Sequence, residues 1–197
     1  LDIKVQKLSA LKAAFTKNKL MYEDTINKYP MREKQIQAYI EKIKADITMR
    51  DMAVSNDIII GGVSYDERTK AGEKIIKIAQ QSTEGTVLGE YKGFEIQKAQ
   101  PYHINIVGQQ TYNIECSHSP IGMAMRIENC VNNIEDEMNI YKGNIETLKN
   151  NYNHAKSSIN SPFEHDDELK TALVRQRELE HELDLEADKT NSVDMEM

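Results

Sequence analysis

Residues 127–159 read IENCVNNIEDEMNIYKGNIETLKNNYNHAKSSI, and the apolar positions in this stretch recur at steps of four and three: Ile127, Val131, Ile134, Met138, Tyr141, Ile145, Leu148, Tyr152, Ala155 and Ile159. A helix turns once in about 3.6 residues, so this register keeps one narrow seam pointed at a partner helix over its whole length. The two tyrosines belong at the edge of the seam, where their hydroxyls reach water or a polar partner. A long helix with such a seam needs something to pack on, and the chain offers a candidate upstream.

Residues 3–28 carry Leu8, Leu11, Phe15, Tyr22 and Ile26 near heptad spacing, and Ile36, Ile40, Ile43 and Ile47 continue an apolar stripe to about Met52. Pro30 lies between them. Proline lacks an amide donor but suits the first turn of a helix, so the region reads either as two helices or as one with a kink. The period then changes. Asp57 to Val63 is β-branched and broken by Gly61-Gly62, which favours a strand, and Ser64 with Glu67 three residues later matches a capping box opening a helix through Ile75, Ile76 and Ala79. From Thr86 the pattern alternates strand and turn: Thr86–Tyr91, the pair Lys92-Gly93, Phe94–Ala99, Gln100-Pro101, Tyr102–Val107, Gly108-Gln109 and Thr111–Ser117. Phe94 and Ile96 alternate with Glu95 and Gln97, the mark of an antiparallel sheet with one wet face.

Ser119-Pro120 reads as an N-cap and a first-turn proline for the long helix, Ser161-Pro162 ends it, and a last helix carries Leu169, Leu173, Leu179 and Leu183. The expected class is α+β: a small antiparallel sheet with one packed helix, plus a long antiparallel, coiled-coil-like helical stalk. The expected parts are stalk helices over 1–53, an α+β globule over 54–118, the heptad helix over 119–160, a C-terminal helix over 161–186 and a disordered acidic tail over 187–197.

Composition agrees with a framework of helices. The 197 residues are 39% hydrophobic, with no Trp and three Phe, so the core rests on Ile and Leu. The formal charge of −7 is uneven: +5 over residues 1–50, −5 over 51–150 and −7 over 151–197. Clustered cations at one end are what phosphate neutralisation requires, and Lys4, Lys7, Lys12, Lys17 and Lys19 are the candidate nucleic-acid contacts. The competing reading is a Lys-rich, solvated helix surface, since the run has no interleaved Arg or aromatic pattern that would grip a strand. No stretch approaches the length of apolar sequence a membrane span requires, and no signal peptide opens the chain, so a reduced, cytoplasmic protein is expected. The start at Leu1, inside a helical pattern, reads as a fragment of a longer polypeptide.

No constellation of reactive side chains accompanies this framework. The glycine patterns of P-loops and dinucleotide folds are absent, and Gly61-Gly62 reads as a tight turn more simply than as a phosphate site. Cys116, His118 and Cys130 match no usual zinc spacing and read as structural thiols beside a histidine. His165-Asp166-Asp167-Glu168 has cation-binding chemistry, but carboxylates in a first helical turn also complement the helix dipole. Tyr91, Phe94, Tyr102 and Tyr112 are candidates for a base-stacking platform or, as is commoner, for core. No catalytic residue, metal ligand or cofactor is assigned, and the chain is not expected to be an enzyme itself.

Three segments taken together, Ser64–Gly72, Leu88–Phe94 and Ser161–Leu169, resemble the C-terminal region of the very large mobile-element proteins of conjugative elements and phages. Those proteins combine a Swi/Snf-type DNA helicase with an adenine-specific DNA methyltransferase. Tyr65, Arg68, Gly72, Tyr91, Gly93, Phe94, Pro162 and Phe163 match that pattern, with no role attached to any of them. The resemblance implies a non-catalytic accessory domain that docks on the parent's other domains or serves as a structural module. The alternatives are a DNA-contacting arm through the basic N-terminal helices and a homodimer through the stalk. The seam makes one testable statement. Ile145→Asp places a charge in the apolar stripe two residues after the helix-weakening Gly143, so thermal melting should show several kcal/mol of destabilisation; an unchanged melt would contradict the heptad register.

Overall fold

Gly61 and Gly62 decide how the middle of the chain folds. Both lie at positive φ, 58° and 81°, the region that the two central residues of a mirror-image β-turn occupy and that glycine enters without strain. They join β1 (Ile58–Ile60) to β2 (Val63–Tyr65) as an antiparallel hairpin. This corrects the expected capping box. Ser64 lies within β2 and its hydroxyl donates to Asp57 Oδ2 at 2.6 Å, while helix α2 (Arg68–Gln81) starts after Glu67, which makes no side-chain cap bond.

The computed structural model describes the backbone of residues 1–193 and the side chains of residues 1–183. Four further strands follow α2: β3 (Val87–Tyr91), β4 (Phe94–Lys98), β5 (His103–Val107) and β6 (Thr111–Glu115). The sheet order is β2-β1-β3-β4-β5-β6, antiparallel throughout, with β2 and β6 at its edges. Lys92 and Gly93, at φ 51° and 85°, form the β3–β4 turn that the sequence pattern indicated. On one face Ile58, Ile60, Leu88, Tyr91, Phe94, Ile96, Ile104 and Ile106 are buried. The opposite face presents Glu90, Glu95 and Asn113 to water. More than one helix covers the apolar face: α2 through Ala71 and Ile75, α3 (Pro120–Asn132) through Met123, Ala124, Ile127 and Val131, and the later part of the N-terminal helix through Ile43.

The helices settle one open alternative and correct one expectation. Helix α1 (Asp2–Asp51) is a single element with Pro30 inside it. The heptad segment, in contrast, is interrupted: Asn133 leaves helical geometry at φ −110° and ψ 26°, and α4 (Ile134–Ser158) begins after it. The apolar register survives this break. Every position of the seam from Ile127 to Ile159 is buried or half-buried, Ile145 included.

The chain forms two compact units, Met31–Leu148 and Leu1–Pro30 with the residues from Lys149 onward. In the first, the later turns of α1 lie antiparallel to the start of α4, with Tyr39 against Tyr141 at 5.5 Å and Arg50 against Glu135. In the second, Tyr29 stacks on Tyr152 at 4.2 Å and Tyr22 meets His154 edge-on. There Val5 and Leu8 are buried with Leu169 and Ala172 of α5 (Asp166–Val193). The tail expected from Ala187 coincides with α5 as far as Val193, and residues 194–197 lie outside the described residues.

Asp46 is the polar exception in this apolar packing. It is fully buried, three residues after Ile43 and therefore on the stripe of α1 that faces the sheet. Its carboxylate accepts the backbone amides of Gln109 at 2.5 Å and Gln110 at 2.9 Å and the Tyr112 hydroxyl at 2.8 Å. The β5–β6 turn is thus fastened to α1. Gly108 is required beside it, because a Cβ there would stand 2.3 Å from Asp46 Oδ1 and 2.8 Å from the Phe94 ring. Burial, and then the Asp46 carboxylate, push the Tyr112 hydroxyl well above its usual range. Asp46→Ala leaves three donors without their acceptor and should cost about 3 kcal/mol or more in chemical denaturation, against about 1 kcal/mol for Tyr112→Phe, which removes one bond of the three. Equal costs for the two would contradict the clamp.

Candidate functional site

The sheet unit carries a pocket of about 480 Å³ at one end of the sheet. Ile75, Ile76 and Ala79 of α2 and Met123 of α3 give it apolar walls, and the loops after β4 and β6 form its mouth. Lys98 shapes that mouth by donating to the carbonyls of Gln100 at 2.8 Å and His103 at 3.3 Å. Tyr102, at φ 65° and 70% exposed, stands over the rim with its ring 6.5 Å from that of His118. Cys116 also lines the pocket, and burial raises its thiol above the ordinary value. The walls are apolar, but Gln80, Ser82, Glu84, Lys98, Ser117 and His118 also line the chamber, so it suits an apolar side chain or small molecule that carries a polar end.

Of the three soft ligands that the sequence singled out, Cys116 and His118 both line this pocket, and Cys130 does not. Cys130 lies elsewhere, between α3 and the β6 edge, where burial and then the Glu137 charge push its thiol up to about 11. A thiol raised in this way is poorly ionised near neutral pH, which disfavours nucleophilic chemistry. Among the described residues no group of three or more His, Cys, Asp and Glu side chains is placed to hold a metal ion. Gly61-Gly62 leads into β2 and not into a helix N-terminus, which removes the geometry a phosphate would need. Tyr91 and Phe94 are buried and Tyr112 is committed to Asp46, so the four aromatics form no open stacking platform.

The five N-terminal lysines divide. Lys4 pairs with Glu168 at 2.9 Å and Lys12 with Asp166 at 2.6 Å, so two of them fasten α1 to the first turn of α5. Lys7, Lys17 and Lys19 lie around the helix, and at roughly 100° per residue Lys17 is about 140° from Lys4, which leaves no single basic face. The acidic run His165–Glu168 is occupied in the same way. Asp166 also holds Lys170 at 2.6 Å, and His165 Nδ1 lies 3.3 Å from Glu168.

The residues that carry the resemblance hold structural places. Arg68 donates its Nε to both oxygens of Glu128, at 2.9 and 2.8 Å, tying α2 to α3. Gly72 is where those helices cross, since a Cβ there would stand 1.7 Å from the Pro120 carbonyl oxygen. Gly93 makes the β3–β4 turn, Tyr91 and Phe94 fill the core, and Tyr65 packs against it. Phe163 meets Phe15 with ring centroids 5.4 Å apart, and Pro162 is exposed before it.

No family model matches the chain. No curated protein and no solved structure matches it either.

Two residues that matter most were not singled out from the sequence. Asp46 was legible in principle, as a carboxylate inside the stripe Ile36–Ile47. Arg50 was not: its guanidinium grips Glu135 with bonds of 2.6 and 2.5 Å and caps the end of α3 by donating to the Asn132 carbonyl at 3.1 Å, a pairing that only the break at Asn133 creates. The Glu135 carboxyl is held below its usual range by that hydrogen bond. The α1–α5 contact gives a pH test. Lys12, followed by Lys170, lowers the Asp166 carboxyl to about 2. Its contribution is therefore present above the ordinary carboxyl range and lost as pH falls through about 2. Carboxyl NMR titration should show that low midpoint, and Lys12→Ala should move it upward; an unmoved midpoint would contradict the pair.

Proposed function

We propose that the chain is a non-catalytic accessory domain of a cytoplasmic mobile-element protein that combines a DNA helicase with a DNA methyltransferase, and that it serves there as a structural and protein-docking module. The parentage rests on the resemblance of Ser64–Gly72, Leu88–Phe94 and Ser161–Leu169. The docking role rests on the apolar pocket between α2, α3 and the β4–β5 loop, whose walls are aliphatic and whose rim carries an exposed aromatic residue, the arrangement that accepts an inserted side chain of a partner. Two facts support a scaffold over a site of chemistry. Lys4 and Lys12 of the first helix pair with Glu168 and Asp166 of α5, and the residues of the family pattern sit mostly at turns, helix crossings and core positions. No helix among the described residues is long and apolar enough to cross a membrane.

The test is binding of the chain to the remainder of the parent polypeptide. A complex should form, and Tyr102→Asn, which keeps a residue tolerant of positive φ while removing the rim aromatic, should weaken it about tenfold. Single- and double-stranded DNA should not be retained at low salt. Retention of DNA that is lost on charge reversal of Lys7, Lys17 and Lys19, with no protein complex, would overturn the docking reading in favour of the DNA-contacting arm.

A further inference from the structure

The sheet has a second open feature, at the edge opposite β2. In the β5–β6 pair Ile104 faces Ile114 and Ile106 faces Tyr112. The Cys116 amide donates to the Tyr102 carbonyl and the Gly108 amide to the Gln110 carbonyl. Antiparallel pairs alternate between bonded and non-bonded positions, so these two bonds fix the phase. Tyr112, Ile114 and Cys116 direct their backbone groups at β5. Thr111, Asn113 and Glu115 direct theirs outward, away from the sheet, and all three residues are exposed. One outward group is taken, the Glu115 carbonyl, which accepts from Arg126 at 2.9 Å. The remaining outward amides and carbonyls form a row at the spacing of an incoming strand.

Beside this edge lies a groove of about 630 Å³ between β6 and the α3–α4 corner. Its floor is apolar, formed by Ile114, Cys130, Ile134 and Ile140, and Ile140 is 58% exposed. Its rim is acidic. Glu115, Asp136 and Glu137 line it against a single cation, Arg126, which lies 3.3 Å from Glu115 Oε2. A strand laid on β6 would point every second side chain into the apolar floor and the intervening ones to the face that carries Glu115, while Asp136 and Glu137, on the floor side, add negative potential along the groove.

We infer that the β6 edge is a strand-addition site, which takes as a seventh strand an extended peptide that alternates β-branched with Lys or Arg residues. Main-chain bonds to Thr111 and Asn113 supply the pairing, the floor takes the apolar side chains, and the acidic rim selects for cations. The site is separate from the pocket at Tyr102 and does not depend on which larger protein the chain belongs to.

A fluorescently labelled peptide of about ten residues alternating Val and Lys is the probe, with a Val and Glu peptide as its counterpart, both read by anisotropy against the full chain. The Val–Lys peptide should bind at least tenfold more tightly, and should shift the Thr111 and Asn113 amide resonances. Asn113→Pro removes an outward donor at a position where an edge strand tolerates proline, and should weaken binding at least tenfold. Glu137→Lys, which leaves the backbone unchanged, should reduce the preference for the cationic peptide several-fold. The Tyr102→Asn variant should bind as wild type. Equal binding of the two peptides, or binding unchanged by both Asn113→Pro and Glu137→Lys, would overturn the inference. Loss of binding in Tyr102→Asn alone would also overturn it, while leaving the docking role of the pocket intact.

Discussion

One buried carboxylate holds the sheet unit together. Asp46 stands in the later part of α1 and is sealed from water, where an unpartnered carboxylate would be costly. Its three donors make that position tenable, and two of them are consecutive backbone amides of a turn that has no helix to complete it. The β5–β6 hairpin is thereby indexed to α1. The same hairpin supplies the β6 edge, and β6 leads through Cys116 and Ser117 into α3. Displacing the turn would disturb both open surfaces, the apolar pocket and the strand edge.

Arg50, one helical turn further along α1, performs a related task. It neutralises Glu135 and occupies the carbonyl end of α3, so the break at Asn133 is a satisfied corner and not a frayed one. With Asp46 and Arg50 on successive turns, the last part of α1 fixes both the sheet's far hairpin and the α3–α4 corner. Those are the two walls of the groove beside β6.

The class and most of the strands were legible because they depend on local signals. Alternation over Phe94–Lys98 and Thr111–Glu115 and the Lys92-Gly93 turn need nothing beyond neighbouring residues, and the seam from Ile127 to Ile159 holds in burial although the helix breaks. What was hidden depends on contacts distant in sequence. Ser64 and Glu67 have the spacing of a cap, yet the left-handed Gly61-Gly62 turn carries Ser64 into a strand, and the hairpin outweighs the local pattern. The break at Asn133 depends on Arg50, far upstream, to satisfy the freed carbonyls. That two of the N-terminal lysines are paired was hidden for the same reason, since Asp166 and Glu168 reach Lys12 and Lys4 only through the fold. Open surfaces were the least legible of all, because an edge strand and a pocket exist only once the strand order is known.

Amide hydrogen exchange through Gly108–Cys116 tests the account most directly. The clamp predicts that the Gln109 and Gln110 amides, although in a turn, exchange as slowly as those of Ile114 and Cys116 in the paired strand, while the outward Thr111 and Asn113 amides exchange quickly. Rapid exchange at Gln109 and Gln110 together with slow exchange at Asn113 would contradict both the Asp46 anchor and the open β6 edge.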